Sequence, residues 1–414
     1  MKRKSLVNPK ISLMLFITVF VLYSLVYMTK NCYSAAMASI VSAEIMTKSQ
    51  TGLIAAIFYL VYAPFQIIGG WAADKVAPER LILLGVFGAG VANLLIYFFA
   101  ENYVAMLIIW SLNAVVQFGV WPSIFKIITT ELCEHHREVA IFYINLSGTA
   151  GLLLSYLIAV FVGNWKYNFL ISAVVLFSLT VAFFFIYYGV SQKMEIVEIP
   201  VPVQNKKRSS SPIPLILKSG VPIFCIAYVI QGMLNLGMKT IAPVMLMESY
   251  EKVNDSLANA LNIILVLAAP VGTLFAGMPI LRKKRESSII LAVFAASAPS
   301  VAIMYFVGKI HVAVIVASLT VLMALLAAQS IFFSKISKQF VAMDCVGIVS
   351  GIFNCMASLG ITLANLCFTR ISEHFGWRVT MICCLILLGV ATVLTVVAAP
   401  IWNRFKEKHL KSII

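Results

Sequence analysis

The feature that most constrains this chain is a series of long apolar runs separated by short polar segments. A helix needs about 20 apolar residues to cross the hydrocarbon core of a bilayer. Twelve runs of this kind can be read from the sequence. They begin near Ile11, Thr51, Arg80, Tyr103, Val139, Phe169, Leu217, Ser256, Ser287, His311, Val346 and Val379. The sequence therefore predicts a protein that crosses a membrane many times.

The runs predict helices rather than strands. Lipid offers no hydrogen-bond partners, so each spanning segment must satisfy its backbone internally. The strands of a membrane barrel would be short and would alternate between apolar and polar residues, which these runs do not. Only 11% of the 414 residues are charged. We therefore expect an all-α polytopic membrane protein with twelve transmembrane helices. The first run is too long for a cleavable signal, so we expect it to be a span.

Positive charge is distributed unevenly along the chain. If the N-terminus is cytoplasmic, 23 of the 31 Lys and Arg residues fall in cytoplasmic segments and 6 fall in outer ones. Such a bias orients membrane proteins, so we predict a protein of the cytoplasmic membrane with both termini inside. The net charge of +15 then reflects topology and contact with anionic lipid. The expected partners are lipid and a small-molecule substrate, with no nucleic acid and a monomeric state.

The composition changes once, at residues 190–216, where proline, serine and charge are concentrated. This pattern is typical of a flexible linker. We predict an N-terminal six-helix bundle at residues 1–189, a cytoplasmic linker at 190–216 and a C-terminal six-helix bundle at 217–414. A weak internal repeat supports two related halves. The repeated residues are Asn145, Gly151, Trp165 and Lys166 in the first half, and Asn354, Gly360, Trp377 and Arg378 in the second.

Polar side chains inside the predicted spans are candidates for a cavity lining, because they are costly in lipid. Two helical faces carry them at steps of three and four residues. These faces are Tyr23, Tyr27, Lys30 and Ser34 in the first span, and Tyr228, Gln231, Asn235 and Lys239 in the seventh. Further candidates are Tyr62, Gln66, Asn113, Gln117, Asn145, Gln329 and Asn354. Two alternatives remain open: the amides can bond neighbouring helices, and the lysines can extend to the membrane surface.

Several classes of function are disfavoured by what the spans lack. No Asp or Glu falls in the middle of a span, which favours exchange or facilitated diffusion over proton symport. We find no HExxH, P-loop or GxSxG motif, so the chain is not expected to be an enzyme or to carry a cofactor. The 8 cysteines form no CxxC pair, so no metal site is expected.

The segment from Gly69 to Arg80 places glycines, an acid and two bases between two spans. It resembles the loop between the second and third helices of Major Facilitator Superfamily transporters. The resemblance implies close helix packing at glycine and a conformational latch formed by Gly70, Asp74, Lys75 and Arg80. The alternative is a solvated turn that follows the positive-inside rule.

Several stretches resemble one branch of that superfamily, the organophosphate:phosphate antiporters or sugar-phosphate permeases. The stretches are Lys30-Asn31, Asp74 to Pro78, Asn113 to Gln117, Arg137 with Asn145 and Gly151, and Leu234 to Glu248. The branch binds phosphate through four cationic or protonatable residues. The matching positions here are neutral: Thr29, Gln66, Gly148 and Asn235. Neutral amides cannot replace bidentate arginines, so a phosphate ester is not expected as the substrate.

These observations predict a secondary or exchange transporter that moves a small polar organic solute by alternating access. Lys30, alone or together with Lys239, would hold a single negative charge on the solute, such as a carboxylate. The predicted substrate-binding residues are Tyr27, Lys30, Tyr62, Gln66, Gln117, Asn145, Asn235, Lys239 and Asn354. The alternatives are efflux of amphipathic compounds and a receptor for a small metabolite that does not transport it.

Overall fold

The computed structural model describes residues 2–198, 213–276, 278, 281, 284–307, 311–340 and 346–409. They form two compact units. The first unit comprises Met1–Met46 and Ile57–Lys207, and the second comprises Thr47–Ala56 and Arg208–Ile414. The position of the predicted domain boundaries stays a prediction, because residues 199–212 lie outside the described part.

The first unit is built from helices apart from two short strands. In chain order its elements are β1 (Lys2–Ser5), α1 (Pro9–Ser42), α2 (Lys48–Lys75), α3 (Pro78–Phe99), α4 (Tyr103–Val116), α5 (Val120–Thr130), α6 (Glu134–Phe161), α7 (Lys166–Ser191) and β2 (Glu195–Glu198). The first turns of α2 belong to the second unit. Strand β1 pairs antiparallel with β2, at the start of the segment that composition predicted as linker.

Local sequence explains where these helices begin. Asn8 caps α1, because its side chain accepts a hydrogen bond from the backbone of Lys10 at 2.9 Å. Pro9 and Pro78 occupy first-turn positions, where a missing N–H costs nothing. The core of the first unit lies where α1, α3, α5, α6 and α7 meet. Its fully buried side chains include Leu15, Ile82, Ile124, Ile144 and Leu176.

The second unit is also helical in its described residues. Its elements are α8 (Ile213–Lys218), α9 (Val221–Gly232), a π-helical turn (Met233–Gly237), α10 (Met238–Ser249), α11 (Asp255–Ala276), α12 (Glu286–Val307), α13 (Val312–Lys338) and α14 (Val346–His409). Helix α14 turns at Gly376, whose φ of 80° lies in the left-handed region that favours glycine.

The start of α2 is fixed within the second unit by polar contacts. Lys48 Nζ donates to Glu248 of α10 at 2.9 Å, and the indole N–H of Trp377 donates to the same carboxylate oxygen at 2.8 Å. The backbone N–H of Ser49 donates to Glu373 of α14 at 2.9 Å. The bond from Ser49 satisfies one of the first backbone N–H groups of α2, which lack partners within the helix.

Most of the predicted spans are present as helices. The described residues contain 9 helices that are long and apolar enough to cross a membrane, or up to 10 if a bent pair in α6 is one span. Helix α14 has 64 residues and a turn at Gly376, a length that suffices for two crossings. The all-α membrane fold is confirmed, and the count of twelve stays a prediction.

The two repeated glycines make the same contact in their respective units. A β-carbon on Gly151 of α6 would overlap the carbonyl oxygen of Ser24 and would lie 2.8 Å from the backbone nitrogen of Met28. A β-carbon on Gly360 of α14 would overlap the carbonyl oxygen of Val229 and would lie 2.8 Å from the backbone nitrogen of Met233. Each glycine therefore lets two helices of its unit approach closely, α6 against α1 in the first unit and α14 against α9 in the second.

Candidate functional site

Lys30 is a charged side chain buried within α1 of the first unit, with 8% of the residue exposed. Its ammonium nitrogen lies 3.7 Å from the ring centroid of Tyr62. The same nitrogen lies 5.3 Å from the centroid of Tyr59 and 5.4 Å from those of Tyr27 and Phe58. We call these four rings and the lysine the Lys30 cage. The Lys30 side chain is therefore buried among these rings.

The Lys30 cage offers a positive charge that its aromatic walls do not neutralise. Aromatic faces attract an ammonium group by about 0.5–2 kcal/mol each, but they carry no net charge. No carboxylate of the described residues lies within ion-pair distance of Lys30. Three of the four rings are tyrosines, and their hydroxyls can donate hydrogen bonds. Such a cage can hold an anion that also carries hydroxyl or amide groups.

The surroundings of Tyr27 explain how the cage is supported. The rings of Tyr23 and Tyr27 meet edge to face at 5.7 Å, and Tyr23 packs against Trp121 of α5 at 4.8 Å. A β-carbon on Gly148 of α6 would lie 3.6 Å from the phenol ring of Tyr27. A larger side chain at Gly148 would therefore extend into the space that Tyr27 borders.

The remaining candidate residues of the first unit, Gln66, Gln117 and Asn145, do not share one location. The Gln66 side chain hydrogen-bonds the hydroxyl of Tyr62, so it belongs to the edge of the Lys30 cage. Gln117 is buried where α4 gives way to α5, and its amide donates to Asn113 at 2.8 Å. That bond lies within one helix end and does not join neighbouring helices, so Gln117 stays a predicted solute contact. The side chain of Asn145 lies outside the described part of the chain.

A second polar cluster lies at the π-helical turn of the second unit. Asn235 is buried within the turn, and its side-chain oxygen has no partner among the described residues. Lys239 is 5% exposed, and its backbone carbonyl accepts a bond from Asn262 at 3.0 Å. Gln231 donates to the carbonyl of Leu326, which is a structural bond between helices. Single π-helical turns occur frequently at functional sites, and no residue pattern in the sequence pointed to this one.

The other second-unit amides show two different environments. Asn354 of α14 is exposed, and its backbone carbonyl accepts a bond from Ser358. Gln329 is fully buried and donates to the carbonyl of Ile290 at 2.8 Å. Gln329 thus bonds two helices together, whereas Asn354 stays a predicted solute contact.

The comparison with known proteins decides the family. The model of the family described as Major Facilitator Superfamily matches residues 19–365, which are well over half of the 414 residues. The chain belongs to the Major Facilitator Superfamily. This result confirms the predicted superfamily. It also confirms that the chain is a membrane transport protein rather than an enzyme.

Relatives of this superfamily member match shorter parts of it. "Membrane sensor protein UhpC" of Salmonella typhimurium strain LT2 is 30% identical over 115 residues, which are 28% of this chain and 26% of that protein. The "D-galactonate transporter" of Escherichia coli O6:H1 is 26% identical over 139 residues, which are 34% of this chain and 31% of that protein. The match thus spans about a quarter to a third of the length of these relatives.

A solved structure resembles this superfamily member over nearly its whole length. A bacterial homologue of the human lysosomal transporter Spinster, in an inward-facing and occupied conformation, aligns with a TM-score of 0.78. The alignment covers 96% of this chain and 98% of that chain at 14% identity. At this identity the likeness shows the fold alone.

The predicted latch is described only in part. Lys75 lies with its ammonium 4.3 Å above the ring of Trp71, and Arg80 is exposed. The side chain of Asp74 lies outside the described part. The close approach predicted for the glycines occurs at Gly69, where a β-carbon would overlap the carbonyl oxygen of Phe118, and not at Gly70, which faces open space. The latch stays a prediction.

Lys126 is a residue near this segment that the sequence did not single out. It lies on α5, and its ammonium donates to the carbonyl of Ala73 in the last turn of α2. Carbonyls in a last turn lack intrahelical partners and carry partial negative charge, so a lysine stabilises them. Spacing along one helix could not reveal this contact, because the two residues are 53 positions apart.

Proposed function

We propose that this chain transports a small organic anion of single charge across the cytoplasmic membrane by alternating access. The observation that carries the proposal is the Lys30 cage, a buried ammonium ringed by tyrosines without a described carboxylate partner. A carboxylate on the solute would supply the missing charge, and hydroxyls on the solute would bond the tyrosines and Gln66. Gln117, Asn145, Asn235, Lys239 and Asn354 remain predicted solute contacts.

The charge balance favours a monoanion over a phosphate ester. The Lys30 cage alone can offset one negative charge, whereas a doubly charged phosphate bound in the cage would retain an uncompensated charge. The position that matches the phosphate-binding histidine of the antiporter branch is Gly148, which lies against Tyr27 and adds no charge. A relative named as a D-galactonate transporter supports a sugar acid as the class of solute.

The direct test is uptake into proteoliposomes made with the purified full-length protein. The solutes are D-galactonate, the neutral sugar D-galactose and a hexose phosphate, and the variants are Lys30→Ala and Lys30→Arg. A charge-assisted bond contributes about 1.5–3 kcal/mol, so Lys30→Ala should reduce uptake of a transported monoanion at least tenfold, and Lys30→Arg should retain more of it. Lys166→Ala is the control, because Lys166 forms an exposed ion pair with Glu101 away from the cage. Undiminished anion uptake by Lys30→Ala would overturn the proposal.

A receptor is the second candidate, because the relative from Salmonella is named as a membrane sensor. Its expected signature is saturable binding of the anion to purified protein without flux into proteoliposomes. Lys30→Ala should then abolish the binding. Flux in the parent protein would exclude a receptor that does not transport.

A further inference from the structure

A cavity of about 400 Å³ lies within the second unit, where α10 and α12 end and α14 turns at Gly376. We call it the α14-turn cavity. Small-molecule sites in proteins have volumes of about 300–1,000 Å³, so this cavity is large enough for a small organic ligand. All its lining residues belong to the second unit, whereas the Lys30 cage belongs to the first. The α14-turn cavity is therefore a candidate site separate from the Lys30 cage.

Three buried methionines and several aromatic side chains line the α14-turn cavity. Met245, Met304 and Met381 come from α10, α12 and α14, and they are 1%, 5% and 4% exposed. Phe375 of α14 lines the same space and is 70% exposed, and Tyr305 of α12 lines it with a half-buried side chain. Thioethers make favourable contacts with aromatic rings, and aromatic rings pack against one another. These walls therefore suit a flat aromatic ring.

Arg378 gives the α14-turn cavity a positive charge. Its guanidinium carbon lies 5.0 Å from the ring centroid of Tyr305, and no carboxylate of the described residues lies within ion-pair distance of it. The acid that lines the cavity, Glu248, is already bonded to Lys48 at 2.9 Å and to the indole N–H of Trp377 at 2.8 Å. A guanidinium that lies over a ring keeps the N–H groups in its own plane available to a ligand.

The charge of Arg378 and the aromatic walls together select the chemistry of the ligand. Like charges repel, so a cationic ligand is disfavoured beside Arg378. A carboxylate matches the guanidinium, because two parallel N–H groups can donate to its two oxygens. An aliphatic carboxylate would bind Arg378 but would lose the contacts that a ring makes with Phe375 and the methionines. The best match is a ligand that carries one carboxylate on an aromatic ring.

We propose that the α14-turn cavity is a binding site for an aromatic monocarboxylate. The carboxylate accepts hydrogen bonds from Arg378, and the ring packs against Phe375 and the three methionines. Glu248 keeps its bonds to Lys48 and Trp377 when the ligand is bound. The site shares no residue with the Lys30 cage, so it does not depend on which solute the protein transports.

The test measures binding by isothermal titration calorimetry on the purified full-length protein, with titration into protein-free detergent subtracted. The probes are naphthoate, the uncharged naphthamide with the same rings, and the ring-saturated analogue of naphthoate with the same charge. One charge-assisted bond contributes about a tenfold preference, so naphthoate should bind about tenfold more tightly than naphthamide. Contacts between aromatic rings should favour naphthoate about threefold over its saturated analogue. Burial of apolar surface alone would not favour the aromatic acid over the saturated one.

Variants of the cavity assign the two preferences to particular residues. Arg378→Gln should weaken the binding of naphthoate about tenfold and leave that of naphthamide unchanged. Arg378→Lys should retain part of the affinity, because it keeps the charge and loses the bidentate geometry. Phe375→Leu should remove the preference for the aromatic acid over its saturated analogue. Arg370→Gln is the matched control, since Arg370 is an exposed arginine of the same helix outside the cavity.

Equal affinities of the parent protein for naphthoate and naphthamide would overturn the proposal, and so would undiminished binding of naphthoate by a folded Arg378→Gln variant. A loss of naphthoate binding in Lys30→Ala would place the ligand in the Lys30 cage and would also overturn it. If Arg378→Gln fails to fold, the three probes on the parent protein and on Lys30→Ala still decide the question.

Discussion

Gly151 packs directly against the main-chain carbonyl of Ser24, and no space remains between them for a methyl group. Gly360 has the same relationship to the carbonyl of Val229 in the other unit. In both cases a later helix of the unit, α6 or α14, crosses an earlier one, α1 or α9, at a distance that only glycine allows.

We expect Gly151→Ala and Gly360→Ala each to destabilise the protein by about 1–3 kcal/mol, because the added methyl group overlaps backbone that cannot rotate away. Thermal unfolding in detergent measures the effect. Gly189→Ala and Gly389→Ala are the controls, since nothing lies within 4 Å of a β-carbon at either position. If the paired variants matched their controls, the close approach of these helices would be wrong.

The Lys30 cage predicts that the ring of Tyr62 matters more for stability than its hydroxyl. Tyr62→Phe keeps a face 3.7 Å from the ammonium and removes the bond to Gln66. Tyr62→Leu removes the face and should lower stability by about 1 kcal/mol more than Tyr62→Phe. The measurement is again thermal unfolding. Repeating it in a Lys30→Met background should abolish the difference, and a difference that persists would contradict the contact with the ammonium.

A partly buried ion pair joins the start of α12 to the last turns of α14. Lys406 Nζ lies 3.3 Å from both carboxylate oxygens of Glu286, which is 6% exposed. A double-mutant cycle with Glu286→Gln and Lys406→Met should give a coupling energy of about 1 kcal/mol.

The exposed pair of Lys166 and Glu101 is the comparison for that cycle. The hydrogen bond and the charge of Lys166 hold the pKa of the Glu101 carboxyl below its usual range. The pair is open to solvent, so screening should leave no measurable coupling. Equal coupling in the two pairs would show that burial does not strengthen the contact of Glu286 and Lys406.

The polar contacts of Glu248 predict that it holds the first turns of α2. Glu248→Ala removes the acceptor for both Lys48 and Trp377. Backbone amides of residues 48–56 should then exchange hydrogen about tenfold faster, since local opening becomes easier by the loss of charged hydrogen bonds. Hydrogen exchange with mass spectrometry measures this. Glu251→Ala, on the nearby exposed turn, is the matched control and should leave the exchange unchanged.

The absence of acids from the predicted spans gives a prediction about coupling. Anion uptake should not be accelerated by an imposed proton gradient, and it should be accelerated by unlabelled anion preloaded inside the vesicles. Radiolabelled uptake with and without a protonophore measures both effects. Uptake that collapses with the protonophore would indicate proton coupling and would contradict both exchange and facilitated diffusion.

The sequence predicted the helices because long apolar runs have few physical alternatives in a membrane. It also favoured an internal position for Lys30, since apolar residues continue past it to Val41. It could not predict the rings around Lys30. Phe58, Tyr59 and Tyr62 belong to α2, and their position against α1 depends on how the two helices pack.

Other features were missed because their cause is not local. The π-helical turn at Met233–Gly237 contains no proline and carries no pattern that distinguishes it from an α-helix. The glycine that permits close packing is Gly69 rather than Gly70, and only the neighbouring chain at Phe118 distinguishes the two. Strand β2 lies in a segment whose proline and serine content favoured a flexible linker. Its order comes from pairing with β1, which is distant in sequence.

The Lys30 cage also has a consequence for biosynthesis. Helix α1 is synthesised before α2, which supplies three of the four rings around Lys30. A lysine at the centre of a lone inserting helix costs about 2.5–3.5 kcal/mol. The apolar residues of α1 must offset that cost at first. The rings of α2 can stabilise the ammonium only after α2 has entered the bilayer beside α1. Helices α1 and α2 are therefore expected to enter the bilayer as a cooperating hairpin, and truncation after Ser42 should lower the yield of inserted α1.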